Sequence, residues 1–279
     1  PKLIPEPTIN IFETRQKYQD GGYRSLYLTP SPEIWMKRIV ASGLPRVFQF
    51  AHSFRNIEEQ GPFHSHEFTM LEWYATDDSY IEALSRIERL LSVLQIELGS
   101  SALSCTRPPV KKIYMTELWE TTLGLDPANA TKKELRATAE KFHIEVGIDD
   151  SWEQLFNRIF LSSIEPLIDS DCPVVVFDYP QKLTTLAATT EDGAHAQRWE
   201  LYLAGVEVAN CYQEETDFKI LSKILSTEAS RQKNSEIVPD PDLDLAQNFS
   251  SVQACSGVAI GLDRLYAAIL GLPAISLLN

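Results

Sequence analysis

Several charged side chains in this sequence sit in apolar surroundings, where a charge is costly unless it meets a partner. Glu72 lies within Phe68-Thr69-Met70-Leu71-Glu72-Trp73-Tyr74, a run that reads as a strand. Strand alternation puts Glu72 and Tyr74 on one face, so that carboxylate must meet a cation or hydrogen-bond donors there. Arg55 and Glu58 stand where an earlier apolar run, Val47, Phe48 and Phe50, gives way to a polar loop. Glu207, Asn210 and Glu214 stand out after a second hairpin, and Arg264 lies in the first turn of the last helix. The helix dipole disfavours a cation at that place, so Arg264 is better explained as reaching for an anion. Guanidinium forks match phosphate oxygens, which makes Arg55 and Arg264 the candidate phosphate holders. The stretch from Val47 to Tyr74 admits two readings: an ordinary hairpin with one internal ion pair, or a site.

The elements that position these residues follow from local signals. Residues 1–30 read as irregular and strand-like, with Gly21-Gly22 as a turn and a short strand over Leu26–Thr29. A helix follows, with Ser31 as N-cap, Pro32 in the first helical position, Glu33 at the positive end of the dipole, and Gly43 after its end. Ile34, Trp35, Met36, Ile39 and Val40 supply its apolar face. Glu33 can equally be a plain first-turn acid. After the central hairpin, Ser79 and Glu82 suit a capping box, with Ile81, Leu84, Ile87, Leu91, Leu94 and Leu98 at helical spacing. The stretch 113–166 reads as a helical insertion, with capping-box pairs at Thr131/Glu134 and Ser151/Gln154 and a solvated charged face. Strands return at Val174–Phe177, Trp199–Leu203 and Val206–Ala209, the last two joined across Ala204-Gly205. Glu207 and Glu214 are seven residues apart. An odd separation puts them on opposite faces of a straight strand, so both face one site only if the strand bulges or ends between them. Residues 215–250 read as a helix, a loop carrying Pro239 and Pro241, and a short helix. Val258–Ile260 is a strand leading into the last helix, where Gly261 lets a ligand approach the backbone.

Composition narrows the classes. The chain has 279 residues, 44% of them hydrophobic, enough for one large domain or two small ones. No apolar run approaches the roughly 20 residues of a membrane span. The opening PKLIPEPTIN has no basic segment followed by an apolar one, so no signal peptide is expected. Cys105, Cys172, Cys211 and Cys255 are scattered without a CxxC pair, which suits reduced structural thiols in the cytoplasm and not a zinc site. The net charge is −14, and the isoelectric point is about 4.8. Proteins that track phosphate backbones carry a basic face, and here the only basic pieces are short, such as Lys111-Lys112 and Lys132-Lys133. A cationic substrate or basic partner fits better. There is no Walker-type or GxGxxG glycine loop, which speaks against a P-loop or Rossmann site.

Four segments together carry a resemblance. They are SPEIWMKRIVASG; the hairpin FRNIEEQGPFHSHEFTMLEWY; TTEDG followed by RWELYLAGVEVAN and YQEETD; and CSGVAIGLDRL. They resemble the catalytic domain of class II aminoacyl-tRNA synthetases of the lysine type, and within that group the elongation factor P (β-)lysine ligases. The hairpin is similar to the class's second motif, and GVAIGLDR to its third. The resemblance implies an α+β fold with an antiparallel β-sheet flanked by helices. It also implies one catalytic domain over 1–279, a mainly helical insertion at about 100–170, no anticodon-binding domain, and a homodimer. Pro1 is similar in place to the proline that ends the first motif, so the helix that precedes it in the family is missing from this sequence.

By the same resemblance, Arg55 holds the α-phosphate of ATP and Arg264 the γ-phosphate, and these two are the catalytic residues. Asn56 and Glu58 lie near the adenine, with Phe63 and His64 in the loop, and Glu207, Val208 and Gly261 complete the ATP site. Ser31, Pro32, Glu33, Glu72, Tyr74, Asn210, Glu214 and Ala259 form the amino-acid pocket. Glu207 and Glu214 hold Mg²⁺. The function implied is ATP-dependent activation of lysine or β-lysine as an adenylate, then transfer to a lysine of elongation factor P. Carboxylates at 33, 72 and 214 suit a substrate with two ammonium groups. Two other readings stay open: a lysyl-tRNA synthetase core, with tRNA as partner, and a non-catalytic synthetase-like module. Ala259 stands where lysyl-tRNA synthetases carry glycine. The sequence leaves the family pattern at Ile57, Pro62, Ser65, His66 and Cys211.

Overall fold

A computed structural model describes residues 11–56, 61–99, 104–183, 185–231 and 241–278. The expectations for Ile57 and Glu58, for residues 1–10 and for Pro239 lie outside the described residues.

In chain order, β1 (Glu13–Lys17) and β2 (Tyr23–Tyr27) form a small antiparallel hairpin turned at Gly21, whose φ of 89° needs a residue without a Cβ. The expected strand therefore sits about three residues earlier than its sequence suggests. Helix α1 (Glu33–Ala41) begins one residue late: Pro32 takes the N-cap. The Ser31 hydroxyl still accepts from the Glu33 amide at 3.1 Å. Then come β3 (Arg46–Phe54), β4 (Glu67–Thr76) and the long helix α2 (Tyr80–Leu98). β5 (Lys111–Tyr114) is a strand where a helical insertion was expected to begin, and α3 (Met115–Leu123), α4 (Lys132–Lys141) and α5 (Trp152–Ile159) follow. β6 (Val174–Pro180), β7 (His195–Leu203) and β8 (Val206–Gln213) extend the expected strands. α6 (Phe218–Arg231), α7 (Leu243–Phe249), β9 (Cys255–Gly261) and α8 (Leu262–Leu270) complete the order.

The contacts divide the chain into two compact units. One comprises residues 1–79, 213–267 and 271–279. It holds the antiparallel order β3-β4-β9, with α1 packed on β3, β4 and α7. The buried side of α1 carries Ile34, Met36, Lys37 and Val40. Trp35 and Ile39, expected on the apolar face, are exposed, because the 100° helical step turns them away from the stripe that Met36 and Val40 define. The Arg38 guanidinium covers the Trp35 ring.

The other unit comprises residues 80–212 and 268–270 and holds the order β8-β7-β6-β5. All its strand pairs are antiparallel except β5 with β6. Val174, Val175 and Val176 are fully buried, as expected for an apolar run in a strand paired on both sides. Two of the three expected capping boxes are seen to form, at Thr131/Glu134 and Ser151/Gln154. Ala204 and Gly205 take the consecutive positive φ values, 53° and 75°, that a tight hairpin turn requires. On α2, Ile87 and Leu91 are buried, whereas Ile81 and Leu98, at the ends of the expected stripe, are exposed. The core under α3 to α5 is aromatic. Phe156 stacks between Trp119 at 4.9 Å and Trp152 at 5.5 Å, and the Trp152 indole donates to Ala130 O.

Phe156 has no exposed face to lose. Phe156→Ala should lower the unfolding free energy by about 3–5 kcal/mol, the usual cost of emptying such a site. A denaturant titration showing a loss under about 1 kcal/mol would contradict this packing account.

Candidate active site

The first unit builds a carboxylate-lined recess from α1, β4 and β9. Glu72 sits mid-strand on β4, flanked across the sheet by Gln49 on β3 and Ala259 on β9, and is 1% exposed. Ser31 Oγ donates to Glu72 Oε1 at 2.9 Å, while Pro32 starts the helix beside it. Two residues on, Tyr74 points to the same face and stands opposite Gly257. Glu214, 4% exposed, follows the end of β8, and its amide donates to Cys255 O at 2.8 Å. Gln213 Nε2 donates to the same carbonyl, and Ser256 Oγ donates to Asp78, fixing the start of β9.

Gly257 is what lets Glu214 and Tyr74 meet. A Cβ there would lie 2.3 Å from Glu214 Oε1 and 2.5 Å from Tyr74 Cε1, far inside van der Waals contact. The Lys37 ammonium reaches the same place from α1, 2.5 Å from Glu33 Oε1 and 2.6 Å from Glu214 Oε2. The rings of Phe249 and Tyr74 lie 5.7 and 6.0 Å from it. Arg38, the next residue, ion-pairs with Asp242, which caps α7 and so holds Phe249 in place. Burial opposes the Lys37 charge, but the Glu214 and Glu33 carboxylates outweigh it and hold its pKa above the ordinary lysine value. Burial pushes the Glu214 carboxyl up; Lys37 pulls against that push, and the Glu33 carboxylate adds to it. Burial, then Glu33, Glu72 and Glu214, raise the Tyr74 hydroxyl, which stays protonated.

The arginines frame another part of this unit. Arg55 leaves β3 with its amide bonded to His66 O, and His66 Nδ1 lies 3.1 Å from Arg55 O, closing the base of the loop. Its guanidinium covers the Phe68 ring at 5.1 Å. Arg55 Nε is buried without a hydrogen-bond partner among the described residues, as suits a group kept for an anion. Arg264 Nε donates to Phe63 O at 3.0 Å, so it holds the loop that contains Phe63 and His64. Asp263 accepts from the Thr69 amide and ties the start of α8 to β4. Gly261 stands opposite Met70, and Asn56 follows directly on Arg55.

In the second unit, Glu207 pairs in register with Tyr202 and Asn210 with Glu200. The register slips at Val208, which has no partner on β7, and β8 ends at Gln213. Both irregularities fall between Glu207 and Glu214, the condition their odd spacing set. Nearby, Arg198 lies between the Tyr179 and Tyr212 rings at 4.3 and 5.2 Å and ion-pairs with Glu200. The Tyr179 and Tyr202 hydroxyls donate to Glu200.

The sequence-derived pocket residues Ser31, Pro32, Glu33, Glu72, Tyr74, Glu214 and Ala259 thus share one unit with Arg55, Asn56, Phe63, His64, Gly261 and Arg264. Glu207, Val208 and Asn210 belong to the other. Lys37, Gly257 and Phe249 went unread from sequence. The first had a signal: a lysine on the apolar stripe of α1, one turn after Glu33. Gly257 had a weaker one, a glycine within a strand.

Three comparisons bear on this geometry. The family model for class II tRNA synthetases (D, K and N) matches residues 5–278. The chain is 34% identical over 257 residues to the elongation factor P–(R)-β-lysine ligase of Pasteurella multocida, covering 90% of this chain and 76% of that protein. It is 31% identical over 272 residues to the protein of the same name from Salmonella arizonae, covering 94% and 80%. A match over nearly the whole chain leaves one conclusion: this chain belongs to the class II tRNA synthetase (D, K and N) family.

Proposed function

We propose that the protein activates lysine or β-lysine with ATP and transfers the aminoacyl group to a lysine of elongation factor P. The observation that carries this reading is the gathering of Glu33, Glu72, Glu214 and Tyr74 in one recess, where Ser31 donates to Glu72 and Gly257 stands against Glu214 and Tyr74. Three carboxylates, two of them buried, suit a ligand with two ammonium groups. The names of its relatives point the same way.

In the first step an oxygen of the amino acid carboxylate attacks the α-phosphorus of ATP, and pyrophosphate leaves with the bonding electron pair. Arg55 and Arg264 are the donors for charge building on the phosphate oxygens. In the second step a neutral lysine amine of the acceptor attacks the acyl carbon, AMP leaves, and the amine loses a proton as the amide forms. No enzyme nucleophile is required. Ala259 places a methyl opposite Glu72, where glycine would leave space, which favours an ammonium displaced along the substrate.

Among the described residues, no group of three or more His, Cys, Asp or Glu side chains stands together as a metal site. Lys37 already holds one oxygen of Glu214, and the other lies over Gly257, so we assign Glu214 to the amino acid. Glu207, a partly exposed carboxylate, fits a hard cation. It would hold Mg²⁺, which when bound neutralises phosphate charge. No helix among the described residues is long and apolar enough to cross a membrane, and we place the protein in the cytoplasm. A homodimer belongs to the same reading. Phe48 and Phe50 on β3 are 70% and 61% exposed and pack edge to face. Sedimentation as a monomer at micromolar concentration would remove the dimer.

Incubating the protein with ATP, each amino acid and elongation factor P should add one aminoacyl mass to the factor. Charging of tRNA with labelled lysine in place of that product would turn the reading to a lysyl-tRNA synthetase, and no amino acid-dependent pyrophosphate exchange would leave a non-catalytic module. Gly257→Ala should raise the amino acid KM by about tenfold or more, the loss of one charged hydrogen bond, with the ATP KM little changed. An unchanged amino acid KM would mean that Glu214 and Tyr74 do not form the pocket.

A further inference from the structure

Glu33 and Lys37 are one turn apart on α1, the spacing of an ordinary surface pair. Surface pairs are solvated and contribute little. This one is different in three ways. Lys37 is 2% exposed. Its ammonium also contacts Glu214, which arrives from the far end of β8. The described groups around the three charges are themselves ligand-facing or apolar: Tyr74 and Glu72 from β4, the Cys255 thiol from β9 and the Phe249 ring from α7, while Asp242 on the same side is taken by Arg38. Lysine, moreover, is a strongly hydrated point charge that is rarely buried without good cause.

The contacts divide the oxygens. Lys37 takes Glu33 Oε1 and Glu214 Oε2, and Glu214 Oε1 is left over Gly257 against the Tyr74 ring. Among the described residues, the contacts bring three carboxylates, Glu33, Glu72 and Glu214, together with one ammonium, that of Lys37, a formal net of two negative charges. We propose that Lys37 is a specificity-setting positioning residue: its resident ammonium cancels one of the three carboxylates, so that the recess matches a substrate with two ammonium groups and turns one oxygen of Glu214 toward it.

This rests on the proposed amino acid activation, and the test separates the two. Amino acid-dependent pyrophosphate exchange is measured with lysine and β-lysine for the wild type, Lys37→Met, Glu33→Gln and the double variant. Methionine keeps the length and apolar stem of lysine, so packing is spared. Lys37→Met leaves three carboxylates without a resident cation, Glu33→Gln leaves two beside one, and the double variant restores the net of two. The amino acid KM should rise at least tenfold in each single variant, with the ATP KM within twofold. In the double variant it should return to within about threefold of the wild type.

An active wild type whose Lys37→Met variant keeps its amino acid KM within twofold overturns the proposal. So does a double variant whose KM equals the product of the two single effects, the result of a merely structural role. If Lys37→Met does not fold, as judged by its thermal transition, the comparison of the double variant with Glu33→Gln decides: a lower KM in the double variant supports the proposal, and an equal or higher one overturns it. A wild type inert with both amino acids overturns the proposed activation, and this inference with it.

Discussion

The first unit is built around the cost of keeping Glu72 and Glu214 out of water beside a third carboxylate, Glu33. Each buried ion costs several kcal/mol after relaxation, and the mutual repulsion of like charges adds to that. The arrangement offsets the cost with fixed partners. Ser31 donates to Glu72, and Lys37 bridges Glu33 and Glu214. The partners come from α1, the strand that receives them is β4, and Glu214 is delivered by the chain leaving β8. Residues distant in sequence are therefore obliged to come together before the Glu72 and Glu214 charges are satisfied. Arg38 and Asp242 lock α7 against the same helix, so the ion pairs of Lys37 and Arg38, adjacent in the chain, tie α1 to Glu214 and to the start of α7.

The strand-and-helix order was legible because its signals are local. Thr131 and Glu134, or Ser151 and Gln154, need only each other to form a capping box, and both do. Ala204-Gly205 shows its turn in two residues. The errors arise where a neighbour decides. β5 could not be read at Lys111–Tyr114, since its apolar content is slight and its pairing with β6 supplies the reason it is extended. Trp35 and Ile39 looked like core because the sequence has apolar residues on more than one side of α1, and only packing on β4 chooses the face.

The site divides in the same way. Glu72 and Tyr74 could be placed on one face because strand alternation is strict. Glu207 and Glu214 posed a parity problem; the chain has an irregularity against β7 at Val208 and a strand end at Gln213 between them, and the two carboxylates fall in different units. Lys37 showed itself only as a lysine on an apolar stripe, and its role was missed for a different reason. Its neighbour Glu33 is an adequate local partner, so nothing in the sequence demands a second one. The demand comes from Glu214, 4% exposed and beyond the reach of any sequence-local argument.

Gly257 shows how the recess trades strand stability for a contact. A glycine within a strand weakens it, through backbone entropy and the missing side chain. Its neighbours Ser256 and Val258 are fully buried, so the strand is held by them and by its pairing with β4. The absent Cβ is filled by Glu214 Oε1 and the Tyr74 ring. Any side chain at 257 would have to displace one of two groups that are themselves fixed, Glu214 through Lys37 and through its amide on Cys255, Tyr74 through the β4 register. The carboxylate cannot simply rotate away without abandoning its ammonium. The glycine and the lysine are thus two halves of one constraint: Gly257 admits Glu214 to the sheet face, and Lys37 makes its charge tolerable there.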